Sequence, residues 1–193
     1  MNSLGTKVKR AEADPRRPSA PTHAAAAAEH LTFAIGACSL GTLMVARTGR
    51  GIRAILLGDS RADVLNNLSQ RFPHAAMTEG DHRAIRLLHQ VAALIESPKT
   101  DIDLALDMRG TDFQQRVWRA LRDIPAGSTA SYAEIAARVG APEAVRAVAQ
   151  ACAANHVAVV IPCHRVVRSD GTLSGYRWGV ERKRALLQRE SRA

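Results

Sequence analysis

The sequence predicts a mixed α/β (α+β) protein, in which a small half with a short antiparallel sheet precedes a mainly helical half. Three observations point there. Apolar, β-branched runs separated by glycine turns fill residues 31–57. Capped stretches with apolar residues at helical spacing occupy most of the remainder. Charge also divides the chain. Residues 31–108 carry eight Lys/Arg against eight Asp/Glu, whereas residues 109–193 carry fourteen against seven, so +7 of the net +9 lies in the second part. A neutral half followed by a basic half points to a polyanion docking on the latter, although an Arg-rich composition with solvated charges would look the same.

The elements follow in order. Residues 1–30 mix Pro, Ala, Ser and charge without periodicity and are expected to be a disordered tail. Phe33–Ile35, Leu43–Val45 and Ile52–Leu57 form a meander, broken by Gly41 and by Gly49-Arg50-Gly51. Ser60 caps a helix that runs to about Phe72, where Pro73 stops it. A second helix covers Ala84–Ile95, with Ile85, Leu88, Val91, Ala92 and Ile95 on one face. Leu104–Gly110 connects the halves, giving expected domains at 31–108 and 109–193. Thr111 then caps a helix carrying Phe113, Val117, Ala120 and Leu121 at helical spacing.

After a turn at Pro125-Ala126-Gly127, Tyr132–Val139 and Glu143–Ala154 flank a break at Gly140-Ala141-Pro142. This reads as helix-turn-helix, a pattern many helical hairpins share without binding anything. In its second helix Val145, Val148, Ala149 and Cys152 are expected to face inward. Ala147, Gln150, Ala151 and Ala154 take the other face, with Arg146 beside them. Small side chains there would allow close approach to another surface, either a DNA minor groove or a second protein layer. Val157–Ile161 reads as a buried strand or extended run.

Composition excludes several classes. Cys38, Cys152 and Cys163 are odd in number and widely spaced, so no disulfide framework is expected and a reduced, cytoplasmic setting fits better. No Cys/His spacing suggests a metal, and no motif calls for a cofactor. The apolar stretch Ala24–Ala28 is too short for a signal or membrane segment, so no membrane partner is expected.

The chemistry concentrates at Pro162-Cys163-His164-Arg165-Val166-Val167. A Cys–His dipeptide by itself is often inert packing. Here Pro162 fixes the backbone before the cysteine and apolar runs hold it on both sides. His164 is adjacent, and Arg165 and Arg168 add positive potential, which would favour a thiolate.

Pro162-Cys163-His164-Arg165 resembles the signature of the O6-alkylguanine-DNA alkyltransferases, also called methylated-DNA–protein-cysteine methyltransferases. The likeness extends through Ala144–Val148, Asn155, Ile161–Val167, Gly171, Gly175-Tyr176-Arg177-Trp178-Gly179 and Leu186-Leu187 to Glu190. Residues 31–190 as a whole are similar to the C-terminal, alkylguanine-repair half of the Ada adaptive-response protein. The resemblance implies a ribonuclease-H-like first domain and a winged-helix-like motif in the second.

It also implies direct-reversal DNA repair. The alkyl group of O6-alkylguanine, or of O4-alkylthymine, passes irreversibly to Cys163 in a single turnover, with no cofactor. His164 would take the thiol proton through a bound water, Glu190 would orient His164, and Asn155 would hold the cysteine loop. The lesion must be flipped out of the duplex, with Arg146 filling the gap and Tyr132 pressing on the flanking phosphate and donating to the base. Ala147, Gln150 and Ala151 would lie against the minor groove. Tyr132, Val166, Tyr176, Arg177 and Trp178 would line the alkylguanine pocket. The partner would be double-stranded DNA, met by a monomer.

Apart from the resemblance, Glu190 would be a terminal surface charge, Asn155 a helix C-cap, and the aromatic residues core packing. The zinc-thiolate and regulatory domains of Ada do not fit in residues 1–30, so neither phosphotriester repair nor self-activation is expected. Cys38 and Cys152 read as core cysteines. Some relatives lack the nucleophile and only bind lesions to recruit other repair. That is the alternative role, which the presence of Cys163 disfavours; a cysteine hydrolase ranks behind it. Relatives that accept bulky adducts carry small residues at the Arg177-Trp178 loop and proline at the position of Ala158. The resemblance therefore implies a pocket that prefers methyl to benzyl, with Trp178 restricting it.

Overall fold

The computed structural model describes residues 29–98 and 102–192. Three strands, β1 (His30–Cys38), β2 (Gly41–Arg47) and β3 (Ile52–Gly58), form the expected antiparallel meander. The tight β1–β2 turn needs Gly41, whose φ is +106° and whose absent Cβ would lie 2.7 Å from the Gly58 carbonyl oxygen. The expectation for residues 1–30 falls mostly outside the described residues. At its end, however, His30 belongs to β1, and Glu29 is fixed by Arg53 and Arg109.

Ser60 caps α1 (Arg61–Arg71) through a capping box with Asp63. A short strand missing from the sequence reading follows. β4 (Ala76–Glu79) pairs parallel to β1, so the sheet is mixed and ordered β3-β2-β1-β4. Four mostly exposed residues with one large apolar side chain give no periodic signal. Next, α2 (His82–Glu96) buries Ala84, Leu88, Val91 and Ile95 against β1 and β2. The predicted stripe was one residue off at its start: Ile85 is 41% exposed, and Ala84 takes the inward position.

The segment after α2 does more than connect. Ile52 N–H donates to the Ala105 carbonyl, and Asp107 N–H donates to the Ile52 carbonyl. Asp107 also holds Thr48, Arg50 and Arg109. The helical half then comprises α3 (Asp112–Arg122), α4 (Tyr132–Arg138), α5 (Val145–Ala153) and α6 (Val180–Arg192). Capping boxes at Thr111 and Ser131 start α3 and α4. α3, α4 and α5 pack on one another, and the indole N–H of Trp118 donates to the Ala151 carbonyl.

Two features place the reactive segment. β5 (Ala130–Ser131), just before α4, pairs parallel with β6 (Val166–Val167), just after the cysteine motif, and so seats Tyr132 beside that motif. Residues 157–161 are not the expected strand. They form tight turns in which Val159 has a φ of +68°, a sparsely populated conformation for a β-branched residue. Only Val157 pairs, parallel to Ile55, with hydrogen bonds from Ile55 N–H to the His156 carbonyl and from Ala158 N–H to the Ile55 carbonyl. The apolar run is buried because the loop lies along the sheet edge.

Candidate active site

α5 ends at Ala153, and the wholly buried Asn155 organises the loop that follows. Its Nδ2 donates to the carbonyls of Val157 (3.3 Å) and Ile161 (3.0 Å) and lies 3.3 Å from Cys163 Sγ. Its Oδ1 accepts from Val157 N–H at 2.8 Å. One amide therefore satisfies backbone groups that burial would otherwise strand, and it fixes the cysteine. Cys163 opens a 3-10 turn, Cys163–Arg165, in which Cys163 and His164 are buried.

α6 folds back on this turn. His164 Nε2 lies 2.7 Å from Glu190 Oε1, with both side chains almost wholly buried. Arg165 reaches the same carboxylate, with Nε 3.0 Å from Oε2 and Nη2 2.9 Å from Oε1. Gly127 N–H donates to Glu190 Oε2 at 3.3 Å, from a φ of +82° that suits glycine. Burial would raise the Glu190 carboxyl, but hydrogen bonds from His164 and Arg165 outweigh it and hold it at about 2. Burial lowers His164, against the opposing pull of Glu190. An ionised carboxylate only accepts, so neutral His164 carries its proton on Nε2. Its Nδ1, buried and without a hydrogen-bond partner among the described residues, is then the basic nitrogen.

Cys163 is a neutral thiol at rest. Burial pushes it up to about 11, more than the Asn155 hydrogen bond and the Lys183 charge pull it down. The expectation that Arg165 and Arg168 would favour a thiolate is corrected by their positions. Arg165 is committed to Glu190 and the Ile124 carbonyl, and Arg168 is exposed.

Cys163 opens on a cavity of about 460 Å³, lined by Tyr132, Ala149, Cys152, Ala153, Cys163, Gly175, Tyr176 and Arg177. That volume suits a small organic ligand or a base. Arg177 Nε donates to the Ala153 carbonyl at 2.7 Å and ties one wall to the end of α5. Another cleft, of about 270 Å³ and rich in arginine, contains no nucleophile. Among the described residues no cluster of His, Cys, Asp and Glu is placed to hold a metal ion, and no helix is long and apolar enough to cross a membrane.

Comparison with known proteins gives this geometry a family. A family model described as "6-O-methylguanine DNA methyltransferase, DNA binding domain" matches residues 112–192. The bifunctional transcriptional activator/DNA repair enzyme Ada of Escherichia coli is 54% identical over 159 residues, 82% of this chain and 45% of Ada. A methylated-DNA–protein-cysteine methyltransferase of Mycolicibacterium paratuberculosis is 47% identical over 115 residues, covering 60% of this chain and 70% of that protein. The crystal structure of Mycobacterium tuberculosis OGT in complex with DNA superposes with a TM-score of 0.70 at 37% identity, over 83% of this chain and 93% of that one.

The chain belongs to the methylated-DNA–protein-cysteine methyltransferase family. It spans less than half the length of Ada. The fold brings Cys163, His164, Glu190 and Asn155 together and places Tyr132, Tyr176 and Arg177 on the cavity.

Four expectations need correction. Ala151 is not on the outer face of α5; it is 1% exposed and packs towards α3. Ala147 is half-buried, and Ala154 is likewise not fully exposed. The apolar Val145 misled the phase, for it is 37% exposed at the helix start. Arg146, Gln150 and Ala153 are exposed and Ala149 partly so, and both Ala149 and Ala153 line the cavity. Second, Val166 is wholly buried, and its carbonyl accepts from Lys183 rather than facing the cavity. Third, Cys38 is only partly buried rather than a core cysteine, while Cys152, buried as expected, also forms part of the cavity wall. Fourth, Trp178 lines a different cleft, beside Ser39, Leu40 and Asp59, and meets the cavity only through the edge of Tyr176, with ring centroids 5.1 Å apart.

Trp178→Ala should lower stability by about 3–5 kcal/mol, as for other buried aromatic truncations. It should leave the ratio of methyl to benzyl reactivity within a few-fold. Denaturant unfolding and paired rate constants check both, and a large selective gain for benzyl would put the indole back in the pocket.

The sequence reading also missed Lys183 and Ser174, both buried at the back of the cavity wall. A signal existed for the first: Lys183, Leu186 and Glu190 lie three and four residues apart on one buried face of α6.

Proposed function

We propose that this protein reverses O6-alkylguanine damage by moving the alkyl group, methyl above all, from duplex DNA onto Cys163, and that each molecule acts once. O4-alkylthymine would react by the same route. The single observation that carries this reading is convergence. A buried cysteine, backed by a His164–Glu190 pair, forms part of a base-sized cavity that the exposed face of α5 borders. Family membership supports it, because relatives are named as enzymes of this reaction.

The chemistry follows from the site. With the thiol near 11, only roughly one molecule in 10⁴ is a thiolate at pH 7, so deprotonation must be coupled to attack. His164 takes the proton at Nδ1, and Glu190 stabilises the imidazolium through Nε2. The Sγ–carbon bond forms as the carbon–O6 bond breaks, and guanine leaves with the electron pair. Asn155 holds the sulfur and its loop in place. The product is a thioether, which ends the turnover.

DNA would be met by the exposed face of α5. Arg146, one turn before Ala149 and Gln150 and in no ion pair among the described residues, is the group that enters the stack when the lesion turns out. Tyr132 and the Tyr176–Arg177 loop receive the base. Residues 31–108 support the basic, DNA-binding domain at 109–193. The protein acts as a monomer in the cytoplasm, where reduced cysteines persist.

The deciding experiment mixes the protein with a duplex holding one O6-methylguanine and maps the adduct by mass spectrometry. One methyl group on Cys163 is expected. Binding without an adduct would instead identify a lesion-recognition protein. Arg146→Ala should slow repair of duplex DNA by roughly 10- to 100-fold, since an unfilled gap costs a few kcal/mol. Reaction with the free methylated base should barely change. Equal losses on both substrates would make Arg146 a structural residue.

A further inference from the structure

His156 follows Asn155, the residue that organises the cysteine loop, yet the mechanism above makes no use of its side chain. Its backbone is committed to the sheet, for its carbonyl accepts from Ile55 N–H at 2.8 Å. Its imidazole turns instead to the end of α1. Nδ1 lies 2.8 Å from Arg71 Nη1, and the ring meets Phe72 edge-on with centroids 5.8 Å apart. These partners are themselves held. Arg71 Nη2 donates to Asn67 Oδ1 at 3.2 Å. The Arg53 guanidinium stands 4.7 Å from the centre of the Phe72 ring and reaches Glu29 at 3.0 Å. One side chain of the reactive loop is thus pinned to the first domain by groups from α1 and β3.

The protonation state of the pin is set by chemistry. A guanidinium only donates, so Nδ1 accepts and carries no hydrogen, and the neutral ring keeps its proton on Nε2. A second proton would reverse the contact. Nδ1–H would face the Arg71 N–H, donor against donor, and the imidazolium would stand beside two guanidiniums. Arg71 has little else to turn to, since its Nε is buried and without a partner among the described residues. The charged groups that face His156 are Arg71 on α1 and Arg53 on β3; Glu29 meets it through Arg53 and is shared with Arg109.

We propose that neutral His156 is a positioning residue that latches the Asn155–Cys163 loop to the first domain, and that a proton on its ring opens the latch and slows repair in acid. The effect on rate rests on the alkyl-transfer reading; the latch itself does not. Transmission is short. Asn155, one residue away, holds the Val157 and Ile161 carbonyls and lies 3.3 Å from Cys163 Sγ, so a shift at His156 moves the amide that sets the sulfur. Burial, helped by Arg53, keeps His156 below its ordinary 6.5. The folded ring is therefore harder to protonate than the unfolded one. The stability from the neutral ring is complete above pH 6.5 and is lost as pH falls through the lower folded value.

Two measurements test the latch. The first needs no DNA. Nitrogen NMR should show His156 neutral at neutral pH, with Nδ1 unprotonated. Amide hydrogen exchange of residues 155–163, corrected for its intrinsic pH dependence, should quicken roughly 10-fold or more as the ring takes up its proton, the scale of losing one hydrogen bond to a charged group. The second is the pH profile of single-turnover transfer from a duplex holding one O6-methylguanine. His156→Asn offers Arg71 an amide oxygen as many bonds from the backbone as Nδ1, and it cannot titrate. It should keep the neutral-pH rate and remove one of two protonations from the acid limb, leaving that of His164. His156→Leu and Arg71→Met break the contact at every pH. Both should show fast exchange and transfer roughly 10- to 100-fold slower, as small misplacements of reacting groups cost. A proton on Nδ1 at neutral pH overturns the latch. So does exchange that ignores the His156 titration, or a leucine variant that matches asparagine in rate and profile. Failure of the unmodified protein to alkylate Cys163, with exchange still following His156, would instead bring down the functional reading and leave the latch standing.

Discussion

Cys163→Ser is expected to abolish alkyl transfer while leaving DNA affinity unchanged within a few-fold. The hydroxyl is far less acidic than even a buried thiol, so neutral His164 cannot generate a useful nucleophile. Losses above about 10⁴-fold are usual when the nucleophile of such a unit is removed. Binding should survive because Cys163 is 6% exposed and contributes no charge to the surface. The fold should survive as well, since the serine hydroxyl can accept from Asn155 where the sulfur did. Single-turnover transfer and a binding titration on the same duplex measure both effects. Methyl transfer to Cys152, which shares the cavity, would be the most informative failure: it would show that the cavity, not the Cys163 loop, selects the acceptor.

The second large effect is expected at Glu190. Glu190→Ala removes an acceptor that serves His164, Arg165 and Gly127 at once, and leaves the Arg165 guanidinium half-buried without its counter-charge. Breaking a buried pair from one side costs about 3–5 kcal/mol. Transfer should also fall sharply, because nothing then fixes the tautomer that leaves Nδ1 basic. The pH dependence has a definite sign. The Glu190 carboxyl stands at about 2 in the folded protein against an ordinary 4.5. Its ionised form therefore contributes fully above pH 4.5, and the contribution is lost as pH falls through about 2. The difference is worth about 3 kcal/mol. Urea midpoints for the unmodified protein and Glu190→Gln should differ most near pH 7 and converge on acidification. A difference that persists at low pH would mean that packing, not charge, is what Glu190 supplies.

The elements legible in the sequence were those with strong local chemistry. Ser60 and Thr111 cap helices through capping boxes, and the meander is punctuated by glycines that the backbone requires. What escaped was set by distant partners. β4 is a strand only because β1 offers an edge. Residues 157–161 look like a strand by composition, yet they turn because Asn155 collects their backbone groups. At the site, Cys163 and His164 stand in a specific motif. The link from His164 to Glu190 spans 26 residues and was available only through resemblance. Lys183 stands in the run Glu181-Arg182-Lys183-Arg184, where residue type gives no hint which one turns inward and only the spacing to Leu186 and Glu190 does. The α5 face was misjudged because an apolar residue at a helix start was taken for core.

β3 is the outermost strand of its sheet, and residues 156–158 lie along its free side. The segment that leads to the reactive cysteine is thus also the cover on this edge at Ile55, as residues 105–107 are at Ile52, and most of the strand Ile52–Gly58 is buried. A strand of that composition, once uncovered, is a template for joining another chain. Chemical damage to the loop would therefore threaten solubility as well as activity. A molecule whose loop is displaced after its one reaction would become a candidate for aggregation or proteolysis without any further unfolding.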